Sequence, residues 1–129
     1  MSYNYPQCCA GEYDLCICQG ATFSLPLVWG TVSSSVTSPT GLVNLTGYTA
    51  DMQFRVSPYA TSILYEASTA NGAIVLGGAT GTITITIPAV TTTGFTFRQA
   101  VYDLKMTSPG GVVTRLLAGS VTVSPEVTR

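Results

Sequence analysis

The sequence predicts an all-β fold, a single antiparallel β-sandwich behind an irregular, cysteine-rich N-terminal arm. Three observations lead there. From Ala21 onward apolar and polar residues alternate with period two, Val, Ile and Thr dominate wherever a pattern exists, and no stretch carries a sustained helical apolar stripe. A chain of 129 residues has the length of one ordinary domain. The boundaries read as an arm over residues 1–20 and a sandwich over residues 21–129, with helix content near nil.

In the first strand Phe23, Leu25, Leu27 and Trp29 share one face, while Thr22, Ser24 and Pro26 take the other. Pro26 has no amide hydrogen for a ladder, so this strand belongs at a sheet edge or carries a bulge. The Ser- and Thr-rich stretch from Thr31 to Gly41 reads as a surface loop. Tyr48 to Ser57 then sets Met52, Phe54 and Val56 on one face and Asp51, Gln53 and Arg55 on the other.

Short strands follow over Ile63 to Ser68, Ala73 to Leu76 and Thr82 to Ile87, the last with Ile83, Ile85 and Ile87 inward. Asn71-Gly72 and Gly77-Gly78 are the turns between them. The run Gly77 to Gly81 precedes a strand rather than a helix, so it reads as a turn and not a phosphate cradle. Phe95 to Thr107 and Gly111 to Val123 form a hairpin around Ser108-Pro109-Gly110-Gly111. There Tyr102, Leu104 and Met106 face the core, Asp103 and Lys105 face outward, and Arg115 lies opposite or diagonal to them. Phe23, Leu25, Leu27, Trp29, Phe54, Ile85, Tyr102 and Leu104 are the expected core anchors. About seven short strands at this spacing favour an immunoglobulin-like sandwich over a barrel. The Cys, Trp, Cys spacing of true immunoglobulin domains is absent, so the likeness is architectural.

Composition narrows the function. Five basic and six acidic residues give a formal net charge of −1, and no run of like charge could track a phosphate backbone or an anionic lipid surface. Nucleic acid and membrane are therefore not expected partners. The start, MSYNYPQCCAGEYDLC, lacks the basic and apolar segments of a secretory signal, and no stretch has the length of a membrane helix. Asn44-Leu45-Thr46 matches a glycosylation sequon, but without an export signal a modified Asn44 is not expected. Charged residues make up 9% of the chain, against about 25% in ordinary soluble domains. Such a surface suits permanent burial against neighbouring subunits.

The succession ATFSLPLVW, LTGYTADMQFRVSP, AIVLGGATGTITITIPA and VYDLKMTSPGGVVTRLLAGSVTVSPEVTR resembles the small β-sandwich domains of tailed-bacteriophage virion proteins, notably the baseplate-upper-protein and tail β-sandwich families. The resemblance covers the chain from Ala21 to its end, and the cysteine-bearing arm departs from it. It implies a structural role in the tail, baseplate or tail-fibre attachment machinery, in a virion assembled in the host cytoplasm. Its implied partners are copies of the chain and other virion proteins. A capsid cement or decoration protein is the alternative within that class.

Cys8, Cys9, Cys16 and Cys18 are the candidates for special chemistry. Metal knuckles use two-residue spacers that let both thiolates reach one ion, and neither the vicinal pair nor the Cys-x-Cys pair supplies one. Disulfides or covalent attachment to a partner are favoured, because a short arm with little core needs a staple. Free thiols remain the other reading. Cys8 and Cys9 cannot easily bridge each other, so they are expected to have different partners, which allows intermolecular bonds. Tyr3, Tyr5 and Tyr13 are interface candidates, weighed equally against packing of the arm on its own sandwich.

No catalytic residues or cofactors are expected. The chain has no histidine, which removes Ser-His-Asp and Cys-His nucleophile activation. Asp51, Glu66 and Asp103 are the acids inside the sandwich, each read as outward and solvated or ion-paired rather than as a glycosidase pair. From other classes, a carbohydrate-binding module would draw on Trp29, Tyr59 and Tyr65, and a small metal-binding protein on the arm.

Overall fold

The computed structural model describes residues 11–31 and 41–128. Its strands are β1 (Gly11–Glu12), β2 (Leu15–Cys18), β3 (Phe23–Val28), β4 (Gly30–Thr31), β5 (Gly41–Leu42), β6 (Thr49–Arg55), β7 (Tyr65–Ser68), β8 (Ile74–Leu76), β9 (Thr82–Ile87), β10 (Gln99–Thr107) and β11 (Val113–Ser124). They form two main sheets. The larger runs β1-β11-β10-β6-β7, with β2 also on β11, and the smaller runs β3-β9-β8. The strand β10 thus sits between β6 and β11, with β7 added at the edge beyond β6, the variable-type arrangement of an immunoglobulin-like sandwich. The fold is an all-β, immunoglobulin-like sandwich.

The core lies between the sheets. In β6 Ala50, Met52 and Phe54 are buried, in β10 Ala100, Tyr102, Leu104 and Met106, and in β9 Ile83, Ile85 and Ile87. Period-two patterning has one outcome here: each strand turns its apolar set inward and its polar set to solvent. Phe54 gathers Tyr65, Phe95, Phe97 and Tyr102 at centroid distances of 5.4 to 6.4 Å, mostly tilted or edge-on.

Of the expected anchors, Leu25, Phe54, Ile85, Tyr102 and Leu104 are buried, whereas Phe23, Leu27 and Trp29 are half-buried against the cluster. The difference follows from position. Among the described residues β3 pairs with β9 alone, which makes it the sheet edge that Pro26 requires, and an edge strand is covered less completely than a central one. Trp29 packs edge-on to Tyr48 at 6.0 Å.

Four expectations are corrected. The irregular arm does not extend to residue 20. Leu15–Cys18 is a strand running parallel to Val121–Ser124, and Leu15 and Ile17 enter the core. A second parallel pair, Gly11–Glu12 with Leu117–Ala118, makes the larger sheet mixed rather than purely antiparallel. Val56, expected on the face of Met52 and Phe54, lies beyond β6 and is exposed, and Ile63, expected to begin a strand, lies ahead of β7 and is exposed. Finally, a one-turn helix, α1 (Ala89–Thr93), interrupts the β pattern. It is too short for a stripe, and its buried Thr92 hydroxyl donates to the Ala21 carbonyl at 2.8 Å and accepts from the Gly20 amide at 3.1 Å.

The β10–β11 hairpin closes as its turn residues dictate. The Gly111 amide donates to the Ser108 carbonyl at 2.9 Å with Gly111 at φ 90°, a conformation glycine adopts without a Cβ penalty.

Candidate functional site

The outward face of the larger sheet collects charge that the sequence scatters. On β6 the residues alternating with the core set are Asp51, Gln53 and Arg55, on β10 Val101, Asp103 and Lys105, and on β7 Glu66. The ladders then fix their neighbours. Gln53 lies opposite Glu66, Lys105 opposite both Asp51 and Arg115, and Asp103 opposite Gln53. Asp51, Arg55, Glu66, Asp103, Lys105 and Arg115 therefore share one face, more than half of the five basic and six acidic residues in the chain.

A hydrogen-bond relay organises this face. The Ala60 carbonyl accepts from Arg55 Nη1 at 2.9 Å, Arg55 Nη2 donates to Gln53 Oε1 at 2.7 Å, and Gln53 Nε2 donates to Glu66 Oε2 at 3.1 Å. Glu66 is also hydrogen-bonded to the Asp51 carboxyl. Burial, that hydrogen bond and the neighbouring Glu66 charge push Asp51 up to about 6. Hydrogen bonds from Gln53 and Asp51 hold Glu66 below the usual carboxylate range. One proton is thus favoured on Asp51 and the charge on Glu66, the division expected of adjacent carboxylates. No third carboxylate, thiol or imidazole joins them in a cluster able to hold a metal, among the described residues.

Beside the relay an open groove of about 710 Å³ runs over β6, β10 and β11, walled by the segment Ser57 to Thr61. Arg55, Asp103, Lys105 and Arg115 line it, with the exposed ring of Tyr59 at its rim. Arg115 Nη1 stands 3.9 Å from Asp103 Oδ2, an ion pair without a hydrogen bond. Arg115 Nε is buried and makes no hydrogen bond.

The opposite outer face, on the smaller sheet, is different in kind. Ser24, Pro26 and Val28 on β3 pair with Thr86, Thr84 and Thr82 on β9, and Val75 on β8 completes the face. None of these is charged, and Val28 and Val75 are exposed.

The cysteine and tyrosine candidates divide. Cys8, Cys9, Tyr3 and Tyr5 lie outside the described residues. Cys16 and Cys18 alternate with buried Leu15 and Ile17 on β2 and are exposed free thiols. Tyr13 is half-exposed, its amide bound to the Ala118 carbonyl and its own carbonyl to the Tyr102 hydroxyl. The sequence reading treated Asp51, Glu66 and Asp103 as separate surface acids and missed the relay through Gln53 and Arg55. The legible part of that signal was alternation, Asp51-Gln53-Arg55 and Asp103-Lys105. What lay hidden was the strand register.

No family model matches the chain, and no curated protein does. Among solved structures, voltage-gated sodium channel β subunits studied for multimeric cell-adhesive interactions are similar at 13% identity, covering 89% of this chain and 92% of that one with a TM-score of 0.41. The extracellular domain of the voltage-gated sodium channel beta4 subunit, described as a parallel homodimer acting in cell–cell adhesion, is similar at 12% identity, covering 96% and 100% with a TM-score of 0.39. Extracellular domains of Drosophila OTK are similar at 13% identity over 89% of this chain and 33% of that one, with a TM-score of 0.35.

Proposed function

We propose that this chain is a non-enzymatic structural component of a tailed-bacteriophage virion, placed in the tail, baseplate or fibre attachment and docking to copies of itself and to other virion subunits. The virion assignment follows the resemblance of the chain from Ala21 onward to phage tail β-sandwich domains.

The observation that carries the structural role is the division of the two outer faces. Charge is confined largely to the larger sheet, and the face of Ser24, Pro26, Val28, Val75, Thr82, Thr84 and Thr86 carries none. A sheet face without charges carries no ionic desolvation cost when covered, so it favours lasting contact over life in bulk water. Cys16 and Cys18 add a second attachment point. Both thiols project outward from β2, where each can form a disulfide with a neighbouring chain once assembled particles meet an oxidising medium.

Particles purified from the host that encodes the chain test this reading. Mass spectrometry of isolated tails is expected to find it at a fixed stoichiometry, and absence from purified particles overturns the assignment. Gels run with and without reductant address the thiols. A heavier band without reductant supports covalent docking, and identical mobility removes that part alone.

A further inference from the structure

We infer that the groove between Tyr59 and Arg115 binds an acidic sugar, a pyranose that bears a carboxylate. This goes beyond the virion reading and does not depend on it, because the groove belongs to a single chain.

The donors come first. Arg115 has a buried Nε with no hydrogen bond and only a long ion pair at 3.9 Å to Asp103. The donors open to a ligand are its terminal nitrogens, on a side chain 38% exposed, whose planar fork matches a carboxylate with two parallel bonds. Lys105, exposed and paired in register with Arg115, adds a second cation within the same groove. Arg55 contributes charge, with one donor of each terminal nitrogen engaged by Ala60 and Gln53. Among the described residues the groove lining thus holds three cations and one anion, Asp103.

Asp103 decides between anions. Its carboxylate accepts from the hydroxyls of a sugar, so it favours an anion that also brings hydroxyl donors over the phosphate dianion, which brings charge and few donors. Tyr59 supplies the remaining requirement. The residue is 82% exposed at the groove rim, and its ring offers a wall on which the C–H face of a pyranose can lie. Phosphate-rich polymers fit poorly for a further reason: the sheet holds three cations among three acids rather than a basic track.

The test titrates the purified, isotope-labelled full chain with trigalacturonate, with maltotriose as the neutral counterpart and with inorganic phosphate. Trigalacturonate is expected to shift amide resonances of Tyr59, Asp103 and Arg115 at millimolar concentration, with maltotriose and phosphate at least about tenfold weaker, the scale of a charge-assisted hydrogen bond. Arg115→Gln and, independently, Tyr59→Ala are each expected to weaken binding by about tenfold. Tyr59 is on an exposed loop, so its variant keeps the test decisive if Arg115→Gln fails to fold. Absence of shifts, equal response to phosphate or maltotriose, or unchanged affinity in a folded variant overturns the inference. Because the assay uses the chain alone, its failure leaves the virion reading untouched.

Discussion

The hydroxyl of Tyr102 donates a hydrogen bond to the backbone carbonyl of Tyr13, tying the middle of β10 to the turn between β1 and β2. Tyr102 is buried, and its hydroxyl is held well above the usual phenol range by burial first and by the nearby Asp14 charge second. Nearby, Asp14 Oδ1 accepts from the Ser120 amide at 3.0 Å, and the Tyr13 amide donates to the Ala118 carbonyl at 3.0 Å. The first strands are therefore latched to the sheet by polar contacts as well as by Leu15 and Ile17.

Removing that hydroxyl tests the latch. Tyr102→Phe is expected to cost about 1 kcal/mol in urea unfolding, the net worth of one buried hydrogen bond. Hydrogen exchange should quicken at the amides of Tyr13 to Cys18 while those of β6 stay protected. Uniform protection in the variant would show that the latch is not local.

Ile17→Ala should cost about 2–5 kcal/mol, the usual range for truncating a fully buried aliphatic side chain. Cys16→Ser, on the exposed face of the same strand, should stay within about 0.5 kcal/mol. An arm outside the core would make both changes silent, so chemical denaturation of the pair separates the two descriptions.

The carboxyl pair sets a pH dependence. Asp51 rises from 3.8 to about 6 in the folded chain, so between those values the folded state keeps a proton that the unfolded state has lost. Its contribution to stability is therefore present at low pH and is lost as pH rises from about 4 to about 6. Glu66, held low, acts in the opposite sense and loses its contribution as pH falls. Asp51→Asn, which retains a donor toward Glu66, should stabilise the chain at pH 7 by about 1 kcal/mol or less once solvent screening is allowed for. The gain should vanish near pH 4, as measured by melting across that interval.

Gly81 caps the short 3-10 turn Gly78–Thr80 with φ 71°, and a Cβ there would stand 2.7 Å from the Trp29 carbonyl. Gly72 has a similar φ of 83° with open space around it. Gly72→Ala should cost about 1 kcal/mol, the conformational term alone, and Gly81→Ala distinctly more. Thermal melts of both variants measure the difference.

The sandwich was legible because alternation survives in β3, β6, β9 and β10, and because Pro26 marks an edge without any knowledge of its neighbours. The strand β2 was not, although Leu15, Cys16, Ile17 and Cys18 alternate correctly. Four residues make a weak period, and cysteines invite a reading by chemistry rather than by face. The helix α1 escaped for a related reason: a single turn has no stripe, and its Thr92 is anchored by contacts to Gly20 and Ala21 more than seventy positions away in the chain. The relay of Arg55, Gln53 and Glu66 depends on cross-strand register, which a loop of ordinary length between β6 and β7 leaves open.

The parallel pairing of β2 with β11 has a mechanical side. A pull that holds the chain ahead of Gly11 in one direction and the chain beyond Ser124 in the other would draw these two strands lengthwise past each other. Every bond of that ladder would then resist together, where an antiparallel hairpin opened from its free ends yields one rung at a time. Traction between flanking segments would thus meet the stiffest geometry a pair of strands can offer.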